Sequence, residues 1–443
     1  MTSALTSDYK FLTSLWSEWL AQPRWPPLDR WLKARTGTRS GHRHNGPCPH
    51  PLQAGTAMLA AMRYLQLACA LETAWRDEQW SFDLPAWDAG WSPAQAKKIT
   101  PLAFWYWIAL RHNAAKPAAV VAPRGLRDAE RRRQFFIQWQ ARSGADDSNP
   151  FYWLWQGMRP GWKPLLDQRA QCSGWDRAAG LQFLSLQTLT PPVWLRIQHQ
   201  EALQPLVGRL QQAGVQATAC ADGVQVQGGK NIIGTADYRA GHIEIQDLAS
   251  QQIARAVDVK PGDKVWDCCA GAGGKTLAIA AQMHNRGVVV ATDLHAFKLE
   301  EIKRRAKRAA FFNIRAFPWD GQSGLRLPAE VARQGGFDRV LVDAPCSSSG
   351  TWRRNPDARW HFAPQQMNEL LQLQQQLLHQ AAASVRNGGY LIYATCSWCV
   401  AENEAQVQTF LQDHDNFSLQ SSQLTGAPEK NADTMFVAVM KKM

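Results

Sequence analysis

The chain has 443 residues, 45% of them hydrophobic, and 49 Lys and Arg against 37 Asp and Glu give a formal charge of +12. That length exceeds one ordinary core and implies two or three domains, the apolar content excludes wholesale disorder, and the positive balance favours a polyanionic partner such as nucleic acid. The start, "MTSALTSDYKFLTSLW", lacks signal-peptide patterning, no run approaches the roughly 18 apolar residues of a membrane span, and nine scattered cysteines form no disulfide framework, so a reduced cytoplasmic setting without membrane contact is expected.

Residues 1–185 read as mainly helical. Apolar residues recur at helical spacing in "YKFLTSLWSEWLAQ" and "TAMLAAMRYLQLACALETAW", with polar, Gly- and Pro-containing breaks between them. Sixteen of the 21 tryptophans precede residue 195, and at helical spacing they are expected in a core rather than stacked on bases. His42, His44, Cys48 and His50 lie close together in "GHRHNGPCPH". Their spacing fits no standard zinc finger, so a polar loop without metal is expected. Arg124, Arg127, Arg131, Arg132 and Arg133 suit either phosphate contact or a solvated helix face.

From residue 186 the pattern changes. A strand in "PPVWLRIQ", a helix in "EALQPLVGRLQQAG" ending at Gly214, and strands in "VQATAC" and "GVQVQG" predict a small α+β domain over 186–240, of the ferredoxin or RRM-like kind. Residues 241–443 then alternate strands and helices. The strands are "KVWDCCA", "GVVVATD", "IRAFPWD", "RVLVDAP" and "GGYLIYATC"; the helices include "KTLAIAAQM", "FKLEEIKRRAKRAAFF" and "QQMNELLQLQQQLLHQAAASV". Such alternation predicts a Rossmann-like, doubly wound and mainly parallel sheet, whose ligands sit at the carboxyl ends of the strands. Asp267, Asp293, Asp320, Asp343, Cys346 and Cys396 all fall there.

The Gly-rich turn "DCCAGAGGKT" suits close approach of a ligand to backbone N–H groups. Its "GGKT" ending suggests a P-loop, but Cys269 occupies the position of that loop's first glycine, and Thr276 that of the third glycine of a dinucleotide fingerprint. S-adenosylmethionine remains, a cationic ligand that tolerates neighbouring carboxylates. The turn residues Cys269, Ala270, Gly271, Ala272, Gly273, Gly274 and Lys275 would cradle it. Asp293 would take the ribose hydroxyls and Asp320 the adenine edge.

"DCCAGAGGKT", "DAPCSSSG" followed by "RRNPD", and "YATCSWCVAENE" together resemble the RNA (cytosine-5) methyltransferase family of the RsmB or Sun type, over roughly residues 188–443. The chain departs from the usual family pattern in having Gly271 and Ala272 where alanine and proline are common. Lys298 fills a usually basic position and is expected beside the cofactor. The resemblance implies Cys396 as the nucleophile that adds to C6 of cytosine, and Cys346 as a second cysteine for product release. It implies Asp343 at N3 and N4 of the base and Lys275 lining the same pocket, with Asp343 and Lys275 also bordering the cofactor. The C-x-x-C spacing of "CSWC" as a redox motif, and Pro345-Cys346 as a DNA-type nucleophile pair, are weaker readings. The target base must leave its stack.

RNA is the expected partner, ribosomal RNA in preference to tRNA, with Arg353 and Arg354 as phosphate contacts. A monomer is expected. The rival readings are a P-loop-type nucleotide hydrolase and a non-catalytic RNA-binding protein.

Overall fold

The computed structural model describes residues 9–23, 25–36, 51–77, 82–144, 147–198, 202–227, 231–362 and 364–443. The chain forms two compact units, Met1–Leu189 with Trp352–Phe362, and Thr190–Thr351 with Ala363–Met443.

The first unit is helical, as the periodicity predicts, with Tyr9–Leu20, Pro101–His112 and Ala129–Ser143 among its longer helices. Its core is aromatic. Trp16, Trp19, Trp105, Trp107, Trp139 and Trp153 are buried, and Trp16 stacks on Phe104 with centroids 4.0 Å apart. Among the described residues no single helix is long and apolar enough to cross a membrane; the apolar pair Ala54–Arg63 and Leu65–Arg76 bends by 65° and is largely buried. Arg132 is no surface cation. It is buried against Glu72 at 3.0 Å, with its guanidinium 3.7 Å from the Trp75 ring centroid. His42, His44, Cys48 and His50 lie outside the described residues.

The return of residues 352–362 to the helical unit has no signal in local periodicity. Trp352 packs against Trp162 at 4.7 Å and Trp360 against Trp91 at 5.3 Å. Asp357 accepts the Leu28 N–H at 2.9 Å. Arg359, fully buried, donates to the carbonyls of Gly157 and Trp352. Burial, with the nearby Arg63 charge, pulls its guanidinium down to about 9.

The second unit holds two sheets. In the smaller, β1 (Val193–Ile197), β2 (Ala217–Cys220), β3 (Gly223–Val226) and β4 (Ile243–Ile245) pair antiparallel in the order β2-β3-β1-β4. The helix Leu203–Gln212 packs Leu206, Val207 and Leu210 into this sheet's apolar cluster. The fourth strand, Ile243–Ile245, falls past residue 240, so this sheet draws on residues beyond the stretch whose pattern suggests it.

The larger sheet contains β5 (Lys264–Asp267), β6 (Val288–Asp293), β7 (Ile314–Pro318), β8 (Phe337–Asp343), β9 (Val385–Thr395), β10 (Phe417–Gly426) and β11 (Thr434–Lys442), ordered β10-β11-β9-β8-β5-β6-β7. β5 to β9 are mutually parallel; β10 and β11 add an antiparallel hairpin on β9. Strand order reverses between β5 and β8, the switch point where such sheets open a crevice at their carboxyl ends. Apolar clusters cover both faces, one holding Trp266, Val340 and Leu391 and the other Val265, Leu341 and Ile392. That two-sided burial explains why these strands read as continuous apolar runs.

Candidate active site

Because β5, β6, β8 and β9 run parallel, their carboxyl ends meet along one edge. After β5, Gly271 and Gly273 take φ of +55° and +83°. A Cβ on Gly273 would lie 2.8 Å from Ile302 Cγ1, so only glycine fits there. The turn closes through Gly273 N–H to Ala270 C=O and Ala270 N–H to Thr292 C=O, both 2.9 Å. The helix Gly274–Gln282 starts at once, leaving its first N–H groups free of helical partners. Asp293, ending β6, accepts the Gly271 N–H at 3.0 Å and the His295 N–H at 2.9 Å, with the Lys298 ammonium 3.2 Å away. These contacts bring together Cys269 to Lys275, Asp293 and Lys298. Asp320 is exposed and accepts the Gln322 N–H at 2.9 Å.

Asp267, ending β5, is fully buried. Thr276 donates to one of its oxygens at 2.6 Å, and the other has no hydrogen-bond partner among the described residues. Burial pushes this carboxyl up to about 7; Asp343 and Asp293 add to the rise, and the Thr276 hydrogen bond and Lys275 oppose it. An orphaned carboxylate oxygen among further carboxylates suits a cationic ligand and would repel a triphosphate.

At the ends of β8 and β9 the sheet aligns Asp343 with Ala394. The loops beyond carry Cys346 and Cys396 to a sulfur–sulfur distance of 3.4 Å. Lys275 reaches across from the glycine turn and donates to Asp343 at 2.7 Å. Burial works against the Lys275 charge, but the Asp343 carboxylate outweighs it and raises the ammonium above its ordinary range. The two thiols diverge. The hydrogen bond from Cys346 lowers Cys396 most; burial opposes it, and Ser348, 3.5 Å away, lowers it further, with Lys275 adding to the effect and Asp343 resisting. Cys346 is held well above the usual thiol range by that same hydrogen bond, then by burial, then by the charges of Cys396 and Glu402. The surroundings thus favour a thiolate at Cys396 and a thiol at Cys346.

Arg353 is corrected by its surroundings. It is 1% exposed and donates to the carbonyls of Leu186 and Leu189 at 3.0 and 3.2 Å, so its guanidinium holds backbone rather than phosphate. Arg354 follows it in the same segment, half-buried. Arg308 turns to Glu244, while Lys303 and Arg304 pair along their own helix with Glu300 and Glu301. Among the cysteines away from this site, which are expected to be inert and buried, Cys69 is buried, Cys220 half-buried and Cys172 exposed.

Site residues whose roles the sequence did not disclose are Gln374, Ser347, Ser397, Glu402 and Asn403. Ser347 and Ser397 are marked by adjacency to Cys346 and Cys396, and Glu402 and Asn403 fall within the motif "YATCSWCVAENE" without a role being legible there; Gln374 carries no signal. Asn403 accepts from Thr395 and donates to Ser397 C=O at 3.0 Å, holding the start of the Cys396 loop from both sides.

Residues 254–441 match the family described as 16S rRNA methyltransferase RsmB/F. A probable ribosomal RNA small subunit methyltransferase B of Synechocystis is 36% identical over 224 residues, 46% of this chain and 49% of that protein. The ribosomal RNA small subunit methyltransferase B of Enterobacter is 30% identical over 62% of this chain and 61% of that protein. This chain therefore spans about half to three-fifths of the length of these curated relatives. The crystal structure of PH0851 superposes with a TM-score of 0.67 at 20% identity, covering all of this chain and 99% of that one, a likeness of fold. Residues 254–441, which carry the glycine turn and the strand-end thiols, are thus similar in sequence to the RsmB/F methyltransferase family.

Proposed function

We propose that this protein methylates C5 of a cytosine in RNA, ribosomal RNA before tRNA, with S-adenosylmethionine as methyl donor and Cys396 as covalent nucleophile. The observation that carries the reading is the pair of unlike thiols 3.4 Å apart beside the Lys275–Asp343 ion pair. C5 of cytosine is a poor nucleophile, and a thiolate adding to C6 cures that.

In this reading the Cys396 thiolate forms the S–C6 bond and the C5=C6 electrons move toward N3. Asp343, oriented by Lys275, engages N4 and supports the proton that N3 needs as charge develops. Bound over the turn from Cys269 to Lys275 and the Asp293 carboxylate, S-adenosylmethionine supplies an electrophilic methyl group. The C5 proton must then pass to a base, solvent water in this reading, so that the C5–H electrons re-form the C5=C6 bond and the S–C6 electrons return to Cys396 as thiolate. Cys346, in contact with that sulfur, is assigned to this release. Arg354 remains a proposed phosphate contact.

The test uses labelled S-adenosylmethionine with ribosomal RNA and tRNA from cells lacking the gene, digested to nucleosides. Label in 5-methylcytidine from ribosomal RNA, absent with Cys396→Ala, supports the reading. Label in another nucleoside overturns it, and label in tRNA alone reassigns the substrate.

A further inference from the structure

Glu402 lies six residues beyond Cys396, fully buried, in a short 3-10 turn, Val400–Glu402. Its carboxylate meets four donors. One oxygen accepts the Ser347 N–H at 2.7 Å and the Gln374 side chain at 3.2 Å. The other accepts the hydroxyls of Ser347 and Ser397, both at 2.5 Å. Ser347 and Ser397 are the residues immediately after Cys346 and Cys396. Gln374 also donates to Pro345 C=O at 2.9 Å, gripping the Cys346 loop from its other side. The loops are joined further by Gly350 N–H to Cys396 C=O at 2.9 Å and by Ser349 and Ser397 hydroxyls 2.8 Å apart. A fully buried carboxylate that only accepts, from both thiol loops at once, is expensive to place where serines could have bonded one another.

We propose that Glu402 is the positioning residue of the thiol pair: it clasps the two cysteine loops at their 3.4 Å contact, and its charge keeps Cys346 the sulfur that bears the proton. Beyond the hydrogen bond they share, the two sulfurs meet different groups: Ser348 and Lys275 bear on Cys396, and Glu402 bears on Cys346. The charged and titratable groups that bear on them are Lys275 and Asp343 at Cys396, and Glu402 and Tyr393 at Cys346. Lys275 favours an anion on Cys396, and Glu402 disfavours one on Cys346. Tyr393 donates its hydroxyl to the Glu402 carbonyl at 2.7 Å, fixing the backbone that carries the carboxylate. The place of this asymmetry in turnover rests on the reaction proposed above; the asymmetry itself does not.

The experiment therefore needs no RNA. The full chain is treated with limiting iodoacetamide across a pH series, and alkylation at Cys346 and Cys396 is mapped by peptide mass spectrometry. In the unmodified protein Cys396 reacts first and at lower pH. Glu402→Gln keeps the shape and removes the charge; the preference for Cys396 over Cys346 is expected to fall about tenfold, the effect of one pH unit in the relative thiol ionisation. Glu402→Asp keeps the charge on a shorter stem and retains most of the preference. An unchanged pH profile in a folded Glu402→Gln protein overturns the proposal, as does an equal loss in Glu402→Asp. If Glu402→Gln fails to fold, Ser347→Ala decides. That variant removes one hydroxyl donor and leaves the charge, so the preference should hold, and its collapse would mean that packing rather than charge sets the thiols apart. Loss of 5-methylcytidine formation with the thiol preference intact would instead count against the proposed reaction.

Discussion

The loops after β8 and β9 are two versions of one device. Each follows a buried parallel strand, each presents a cysteine within three residues of the strand's last residue, and each follows that cysteine with a serine bonded to Glu402. Yet one sulfur is lowered in pKa and the other is raised. What differs is the neighbourhood each loop faces. Both loops bond Glu402 through their serines, but Lys275 and the Ser348 hydroxyl bear on the Cys396 sulfur, whereas the Glu402 charge bears on Cys346. Chemical identity at a strand end therefore does not set a thiol's ionisation; the hydrogen bonds and charges aimed at it do.

Removing the sulfurs breaks the comparison most directly. Cys396→Ala is expected to cost at least about 10³-fold in methylation rate, since no other group supplies the covalent bond, measured as initial rates of label incorporation into RNA. Asp343→Asn retains the shape, leaves Lys275 without its anion and weakens support for charge at N3, with an expected loss of roughly 10²- to 10³-fold in the same assay. Cys346→Ala should leave bond formation largely intact and slow release, so that a denaturation-resistant protein–RNA adduct accumulates on gels and the double variant with Cys396→Ala shows none. The β5 end sharpens the comparison at its smallest scale. Asp267 has its carboxyl raised by burial to about 7, so between its unfolded value near 4 and about 7 the folded protein holds a proton that the unfolded chain has lost. Its contribution is present at low pH and is lost as pH rises through that window. Asp267→Asn should flatten this part of the stability curve, read as melting temperature against pH.

Much of this was legible in the sequence, for physical reasons. The strands β5 to β9 announce themselves as apolar runs because both sheet faces are covered, and the crevice follows from the alternation of strands and helices. Cys346, Cys396, Asp343 and the glycine turn sit in short motifs whose chemistry is local. The rest was hidden where distance along the chain separates partners. β4 is three residues long and is a strand only because β1 lies beside it. The β10–β11 hairpin carries exposed polar residues such as Gln420, Ser421 and Ser422 on its edge strand, which blunts its pattern. Arg353 reads as a phosphate contact because an arginine next to an active-site loop usually faces solvent; only the return of residues 352–362 to the helical unit buries it. The role of Glu402 is opaque for the same reason, since two of its donor residues, Ser347 and Gln374, lie 55 and 28 residues back in the chain.

That return has a consequence in time. A chain made from its amino end displays the first 189 residues long before Trp352, Arg359 and Trp360 emerge. At ordinary elongation rates the delay is roughly ten to thirty seconds. For that interval the helical unit lacks the rings that pack on Trp91 and Trp162 and the carboxylate that takes the Leu28 N–H. Its helices can form early, but its core closes only after most of the catalytic sheet has been translated, which makes the two folding events successive rather than independent.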